Sequence, residues 1–392
     1  MPSPAEAQRD QLLTSGFVRL AVADLAYFTA TGIAIYTLPL YVTGPVGSDS
    51  AGAGLAFGAF AISALMLRPF AGRLSDRRGR RPLLVGGAAL CAIAMLLTAF
   101  VHSLALIVGL RLLLGVAEAA FFVASFAALA DLAPPSRMGE ALSYNSLGLY
   151  LGLALGPPLG EVLVEKAGYA TAWYGAAGLS ALGGVVAMGI GETRAPRSGA
   201  DAPAKLIHWK AVPPAIGFFT SMAAMGGFLA FASLHAGAVG LADTSLPLLI
   251  YGVVVVVGRI AFAKVPDQLP PLPLGAAALG LIAGGLIVTA IWTTPVGMIL
   301  GTALLGVGVT FSTPAFFAAA FATAAPSERG AASGTVSAFL DLGLGGGPIL
   351  LGLVAQALGI PWAFGAAAAV ALAGCVWTIG LAQVWSQRAL AR

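Results

Sequence analysis

The sequence predicts an all-α integral membrane protein of twelve transmembrane helices, arranged as two pseudo-symmetric six-helix bundles. Three observations carry this. Of 392 residues, 59% are hydrophobic and only 9% charged, where soluble domains carry roughly a quarter charged residues. Apolar runs near spanning length, about 20 residues for a hydrocarbon core of about 30 Å, recur along the chain. The second half also repeats landmarks of the first. Helices are the spanning element, because lone strands in lipid leave backbone groups unpaired.

The apolar stretches run over 17–42, 53–73, 82–100, 104–128, 139–163, 169–190, 212–236, 244–265, 272–292, 296–321, 331–357 and 361–384. Their richness in small residues, with Gly at 52 positions, suits membrane helices that pack closely. The first stretch follows a polar N-terminal segment, Met1 to Thr14, that lacks the basic start and short apolar run of a cleaved signal peptide. Between the second and third lies the densest run of charge in the chain, Arg68 to Pro82, with Arg73, Asp76, Arg77, Arg78, Arg80 and Arg81. It reads as a short turn between two spans. The longest connector, 191–211, is polar and rich in Pro and small residues. It reads as a linker between an N-terminal bundle, 1–190, and a C-terminal bundle, 212–392.

Basic residues set the expected topology. With both termini inside, the cytoplasmic segments hold Arg9, the arginines from 73 to 81, Arg137, Arg194, Arg197, Lys205, Lys210, Lys264, Arg329, Arg388 and Arg392. The external loops hold Lys166 alone. This bias predicts a multi-pass plasma (inner) membrane protein with N- and C-termini cytoplasmic. The net charge of +4 is therefore a topology signal and not a mark of nucleic-acid binding. Cys91 and Cys375 both sit in apolar stretches and read as small buried hydrophobes. His102, His208 and His235 fall near predicted helix ends and read as solvated or capping groups.

The repeat is one constant shift of 191 residues. Arg68 falls on Arg259, Asp76 on Asp267, Pro82 on Pro273, Gly115 on Gly306, Gly152 on Gly343, and Gly156-Pro157 on Gly347-Pro348. Parallel six-helix repeats imply a pseudo-two-fold axis along the membrane normal and a site near midplane between the halves.

Gly72-Arg-Leu-Ser-Asp-Arg-Arg-Gly-Arg-Arg81 resembles the signature loop between helices two and three of the major facilitator superfamily (MFS), and the resemblance extends over essentially the whole chain. Arg111-Leu-Leu-Leu-Gly115 resembles that family's Arg-x-x-x-Gly motif. Gly148, Gly152, Gly156-Pro157 and Gly160 resemble the Gly-Pro motif of its drug-efflux, proton-antiporter branches. That motif usually ends in two glycines, whereas Glu161 follows Gly160 here. The resemblance implies that Gly72, Arg73, Asp76, Arg77, Gly79 and Arg80 form a latch between the halves. From the residues themselves, Gly79 suits a positive φ in the tight return, Asp76 is placed to cap or face a helix N-terminus, and Pro82 suits a first helical turn.

Charged residues inside spanning stretches are expensive and mark function. Arg111, Gly115 and Glu118 share one face of the fourth stretch, with Arg111 and Glu118 about 10 Å apart along the axis. Asp24 and Tyr27 share a face of the first, and by depth Asp24 approaches Glu118. Asp341 is the mid-membrane carboxylate of the second half, and Asn145 and Tyr150 are candidate polar lining of the fifth stretch. Gly148, Gly152, Gly156, Pro157 and Gly160, with Gly343, Gly347 and Pro348 in the repeat, read as helix-packing positions.

These features predict a secondary active transporter working by alternating access, exporting a small apolar or amphipathic molecule against protons. The phenylalanines of stretches seven and ten (Phe218, Phe219, Phe228, Phe231, Phe311, Phe316, Phe317), with few amide or carboxylate side chains beside them, favour an apolar or amphipathic substrate over a sugar, with lipid- or core-facing roles as the alternative for many of them. A nutrient symporter or facilitator, and a non-transporting receptor or lipid-handling protein, are the alternatives. No phosphate-binding loop, metal spacing or catalytic set appears in the sequence. The expected partners are a small-molecule substrate, protons and the lipid bilayer, with no cofactor, no metal and no nucleic acid, and the protein is expected to act as a monomer.

Overall fold

A computed structural model describes residues 13–134, 137–193, 207–325 and 328–390, with the side chains of 138–140, 142–146, 267, 330 and 388–390 outside the description. The described residues contain no strand. The long helices are α1 (Ser15–Thr43), α2 (Ser50–Arg78), α3 (Arg80–Thr98), α4 (Leu104–Leu132), α5 (Met138–Ala167), α6 (Tyr169–Met188), α7 (Val212–Ala238), α8 (Leu246–Ala261), α9 (Pro271–Ile291), α10 (Pro295–Phe321), α11 (Arg329–Leu358) and α12 (Ile360–Leu390). Each falls on one of the predicted stretches. Pro39, Pro69, Pro157, Pro158, Pro314 and Pro348 lie inside helices, which packed membrane helices tolerate.

Among the described residues, eleven helices are long and apolar enough to cross a membrane. The twelfth, α8, has 16 residues, or about 24 Å at 1.5 Å per residue. It stops at Ala261, short of the predicted 265, and a one-turn helix, Val265–Gln268, follows. Pro266 has no amide hydrogen to continue the ladder. Leu97 on α3, Val185 on α6, Ile291 on α9 and Val376 on α12 are exposed. Outward faces this apolar belong in lipid.

The chain packs into two compact units. One combines Met1–Thr37 with Ser63–Ser198, and the other combines Leu38–Ile62 with Gly199–Arg392. The end of α1 and the start of α2 thus pack with the second unit. Most of the predicted linker, 194–206, lies outside the described residues, as does the side chain of Asp267.

In the first unit, α1 and α5 meet backbone to backbone. The glycines at 148, 152, 156 and 160 all face α1, against Ala21 to Leu25, Phe28-Thr29, Gly32 and Ile33 to Tyr36. A Cβ on Gly156 would stand 2.5 Å from the Gly32 Cα, closer than any real contact. On α3, Gly87 lets α4 approach at Ala117 and Phe121.

The second unit repeats the device. Gly343 and Gly347 on α11 abut Phe219 to Ala223 of α7, and Gly226 of α7 abuts Pro348. The start of α2, at Gly54 and Gly58, lies on Pro348 and Gly345 of α11. Phe218 packs on Phe316 and Phe317 with ring centroids 5.9 and 5.7 Å apart, and Phe228 on Phe364 at 6.1 Å. Phe218, Phe228, Phe231 and Phe316 are fully buried in this unit. They fill its core where glycines such as Gly217 and Gly275 make room for Phe316, so they do not outline a substrate cavity as the sequence suggested.

Two histidines also differ from expectation. His235 is buried edge-on to Phe364. His208 is buried, its backbone amide donating to Thr335 Oγ1 at 2.9 Å and its Nε2 lying 3.3 Å from the Thr323 carbonyl. Both sit where a helix end is covered by neighbouring helices, so a terminal sequence position does not mean solvent.

Candidate functional site

The polar interior of the first unit is built on α1 and α4. Glu118, Phe121 and Ser125 follow one another on one face of α4, and Asp24 and Tyr27 on one face of α1. The two faces meet in layers. In the first, Ser125 Oγ lies 2.9 and 2.8 Å from the two carboxylate oxygens of Asp24, which is completely buried. In the second, the Tyr27 ring stacks on Phe121, centroids 4.0 Å apart and planes 6° from parallel. The Tyr27 hydroxyl reaches onward toward Glu118 and the Cys91 thiol of α3.

Glu118 is half-buried, and its carboxylate lies within the fields of Arg68 and Arg111. Arg111 is buried. Arg68, on α2, stacks its guanidinium over the Phe122 ring, 4.6 Å from the centroid, a contact that strengthens away from water. The expected approach of Asp24 to Glu118 is therefore interrupted: the aromatic layer Tyr27–Phe121 stands between them. Glu118 thus lies beside one hydroxyl and in the fields of two cations.

A second carboxylate was passed over as a site in the sequence. Glu161 on α5 is buried, and its Oε1 accepts a hydrogen bond of 3.1 Å from the Tyr36 hydroxyl of α1. Ser125, Phe121, Cys91 and Tyr36 were also not singled out. The α4 set was legible from spacing alone, since positions 118, 121 and 125 repeat at i, i+3 and i+7. Glu161 was legible as the break in the glycine motif.

The charged run differs from a loop. α2 continues to Arg78 and α3 begins at Arg80, so Gly72, Arg73, Asp76 and Arg77 lie on the last turns of α2. Gly79 alone makes the reversal, at φ +103°. A Cβ on Gly72 would meet Val123 only at 4.0 Å, so Gly72 neither ends the helix nor is required by close packing. The N-terminus of α3 is capped by Glu192, not Asp76: its Oε1 and Oε2 accept from the backbone amides of Arg80 and Arg81 at 2.9 and 3.3 Å. An acid at that dipole end is the favourable placement. Arg80 donates to Asp76 at 2.8 Å, to the Ser75 carbonyl at 2.9 Å and to Asp131 of α4 at 3.1 Å. Thr193 donates to the same Asp131 oxygen at 3.0 Å. The run thus ties the ends of α2, α3 and α4, and the segment after α6, into one charged knot.

In the second unit, Asp341 is buried on α11. Tyr150 is half-buried on α5, and the Asn145 side chain lies outside the described residues. Among the described residues, no group of three or more His, Cys, Asp or Glu side chains has metal-binding geometry.

The family model for the Major Facilitator Superfamily matches residues 20–343. The chain belongs to this family. Curated relatives agree: an uncharacterized MFS-type transporter of Burkholderia mallei is 29% identical over 99% of this chain and 95% of its own length. One from Salmonella typhimurium is 28% identical over 95% and 97%. Among solved structures, the human organic anion transporter MFSD10 superposes with a TM-score of 0.71 at 18% identity, over 96% of this chain and all of that one. A bacterial homolog of the human lysosomal transporter Spinster, inward-facing and unoccupied, gives 0.73 at 13%, over 97% and 96%. At those identities the superpositions show the fold alone. In this MFS chain the Arg111 motif and the Gly-Pro motif stand on α4 and α5, beside the carboxylates described above.

Proposed function

We propose that this membrane transporter couples export of a small apolar or amphipathic organic molecule to the inward movement of protons, with Glu118 as the central proton carrier. The observation that carries the reading is the setting of Glu118: a half-buried acid in a spanning helix, faced by the Tyr27 hydroxyl and lying in the fields of Arg68 and Arg111. Coupling needs a carboxylate that is protonated in one conformation and ionised in the other. A potential of 100 mV is worth about 2.3 kcal/mol per charge moved, or roughly a forty- to fifty-fold concentration ratio. Asp24 and Asp341 serve as further proton or substrate partners, and Arg111, Tyr27, Asn145 and Tyr150 as their polar surroundings.

The substrate class rests on composition. Asn145 is the only asparagine in the chain, and no glutamine falls in the middle of a spanning stretch, so the amides that recognise a sugar are scarce. In this reading the protein sits in the inner membrane with both termini in the cytoplasm, an orientation supported by the bias of its basic residues. There Gly72, Arg73, Asp76, Arg77, Gly79 and Arg80 act as the latch that sets the balance of open states, and the protein works as a monomer. The test is ΔpH-driven flux of a panel of lipophilic dyes in proteoliposomes. Glu118→Gln is expected to abolish it, and a variant that retained wild-type flux would remove Glu118 from the role.

A further inference from the structure

Of the three buried tyrosines of α1, Tyr27 and Tyr36 each face a carboxylate of a different neighbour. Tyr27 meets Glu118 of α4, and Tyr36 meets Glu161 of α5. Nine residues separate the tyrosines, which places them about 14 Å apart along the axis and on opposite sides of the helix. Glu161 is thus engaged from another side of α1 and nearer its C-terminal end than Asp24, Tyr27 and Glu118.

Packing does not require an acid at this position. The contact between α1 and α5 is already made by Gly32, Gly152 and Gly156 through their backbones, and Gly160, one residue before Glu161, faces Ile33 and Tyr36. In the family motif the position after Gly160 is ordinarily a second glycine, which would meet the same helix without a charge. An ionisable side chain retained inside a spanning helix is costly, and its use is the ordinary reason for keeping it. Tyr36 faces Glu161 from α1, whose charged residues, Arg19 and Asp24, lie toward the other end. On α5, Glu165 and Lys166 stand beyond it and are exposed, and α6 carries no charged residue, with Tyr169 at its start.

We propose that Glu161, held by Tyr36, is a second proton-exchange site, serving the membrane face opposite to the Asp24–Ser125 end. This deepens the proton-coupled reading of Glu118 and rests on it. In this arrangement Glu161 exchanges protons with one side of the membrane, while Glu118 and Asp24, engaged on another side of α1, serve the other.

Glu161→Gln separates this role from a structural one, because its amide oxygen still accepts from Tyr36 while no proton is exchanged. The experiment is infrared difference spectroscopy of the full-length protein in lipid vesicles, titrated across neutral pH and read at the carboxylic-acid stretching band. It needs no transported substrate. Wild type is expected to show a component lost in E161Q and a separate one lost in Glu118→Gln. Tyr36→Phe, which removes no carboxyl group, is expected to move the Glu161 component, and it keeps the proposal testable should E161Q fail to fold. An E161Q spectrum identical to wild type, or a Tyr36→Phe variant that leaves every component in place, overturns the proposal. Absence of the Glu118 component, with the Glu161 component present, overturns the central reading instead.

Discussion

The Ser125 hydroxyl of α4 lies 2.8 and 2.9 Å from the two carboxylate oxygens of Asp24 on α1. That hydroxyl reaches both oxygens of a completely buried acid and ties together the two helices that carry the candidate proton path. Removing a partner from a buried polar group costs about 1–3 kcal/mol. Ser125→Ala is therefore expected to lower the unfolding free energy by about that amount in detergent. Asp24→Asn is expected to cost less, since its amide still bonds the hydroxyl, while flux falls in both. Equal stability of wild type and Ser125→Ala would show that the contact contributes little to the fold.

Tyr27 does two things that substitution can part. Tyr27→Phe keeps the ring stacked on Phe121 and removes only the hydroxyl that meets Glu118. It is expected to cost about 1 kcal/mol of stability and to change the pH profile of transport. Phe121→Ala removes a fully buried ring and is expected to cost about 3–5 kcal/mol. Flux and thermal unfolding measured on the same preparations check both. A Tyr27→Phe protein with a wild-type pH profile would exclude the hydroxyl from proton handling.

The Asp76 side chain is half exposed, at 50%, where it pairs with Arg80. Exposed ion pairs contribute about 0–1 kcal/mol, so Asp76→Asn is expected to leave membrane insertion and unfolding temperature near wild type. Under the proposed latch role, transport is expected to fall. Turnover equal to wild type would count against the latch.

The reversal at Gly79 depends on its own conformation and on Glu192. At φ +103° a side chain is strained, and a Cβ there would also strike the Glu192 carboxylate that caps α3. At φ +103° and ψ 166°, a region that glycine alone adopts readily, Gly79→Ala is expected to cost about 1–3 kcal/mol from the backbone alone, plus displacement of the cap. Glu192→Ala alone is expected to cost about 0.5–2 kcal/mol, the range for a lost helix cap. Denaturant unfolding in detergent ranks the two. Gly79→Ala as stable as Glu192→Ala, or more so, would contradict the strain.

Much of this was legible in residue order. The apolar stretches fell on the helices because hydrophobic length is set by bilayer thickness, a local property. The reversal at Gly79 was legible because one residue type tolerates that φ. Where the reading erred, the cause was a partner far along the chain. Asp76 looked like the cap of α3 because it is adjacent, yet Glu192, brought up from beyond α6, takes that place. Phenylalanines of α7 and α10 looked like cavity lining because periodicity does not say which neighbour a face meets, and in the structure Phe218, Phe228, Phe231 and Phe316 fill the core of the second unit.

By itself the sequence determined the class of protein, the positions of its spanning helices, its repeat and its family, because each follows from composition, period or motif. Only the tertiary structure decided which acids are held by which donors. Ser125 with Asp24, Tyr27 with Glu118 and Tyr36 with Glu161 each join two helices, and their approach is set by glycine contacts and helix packing that no single stretch encodes.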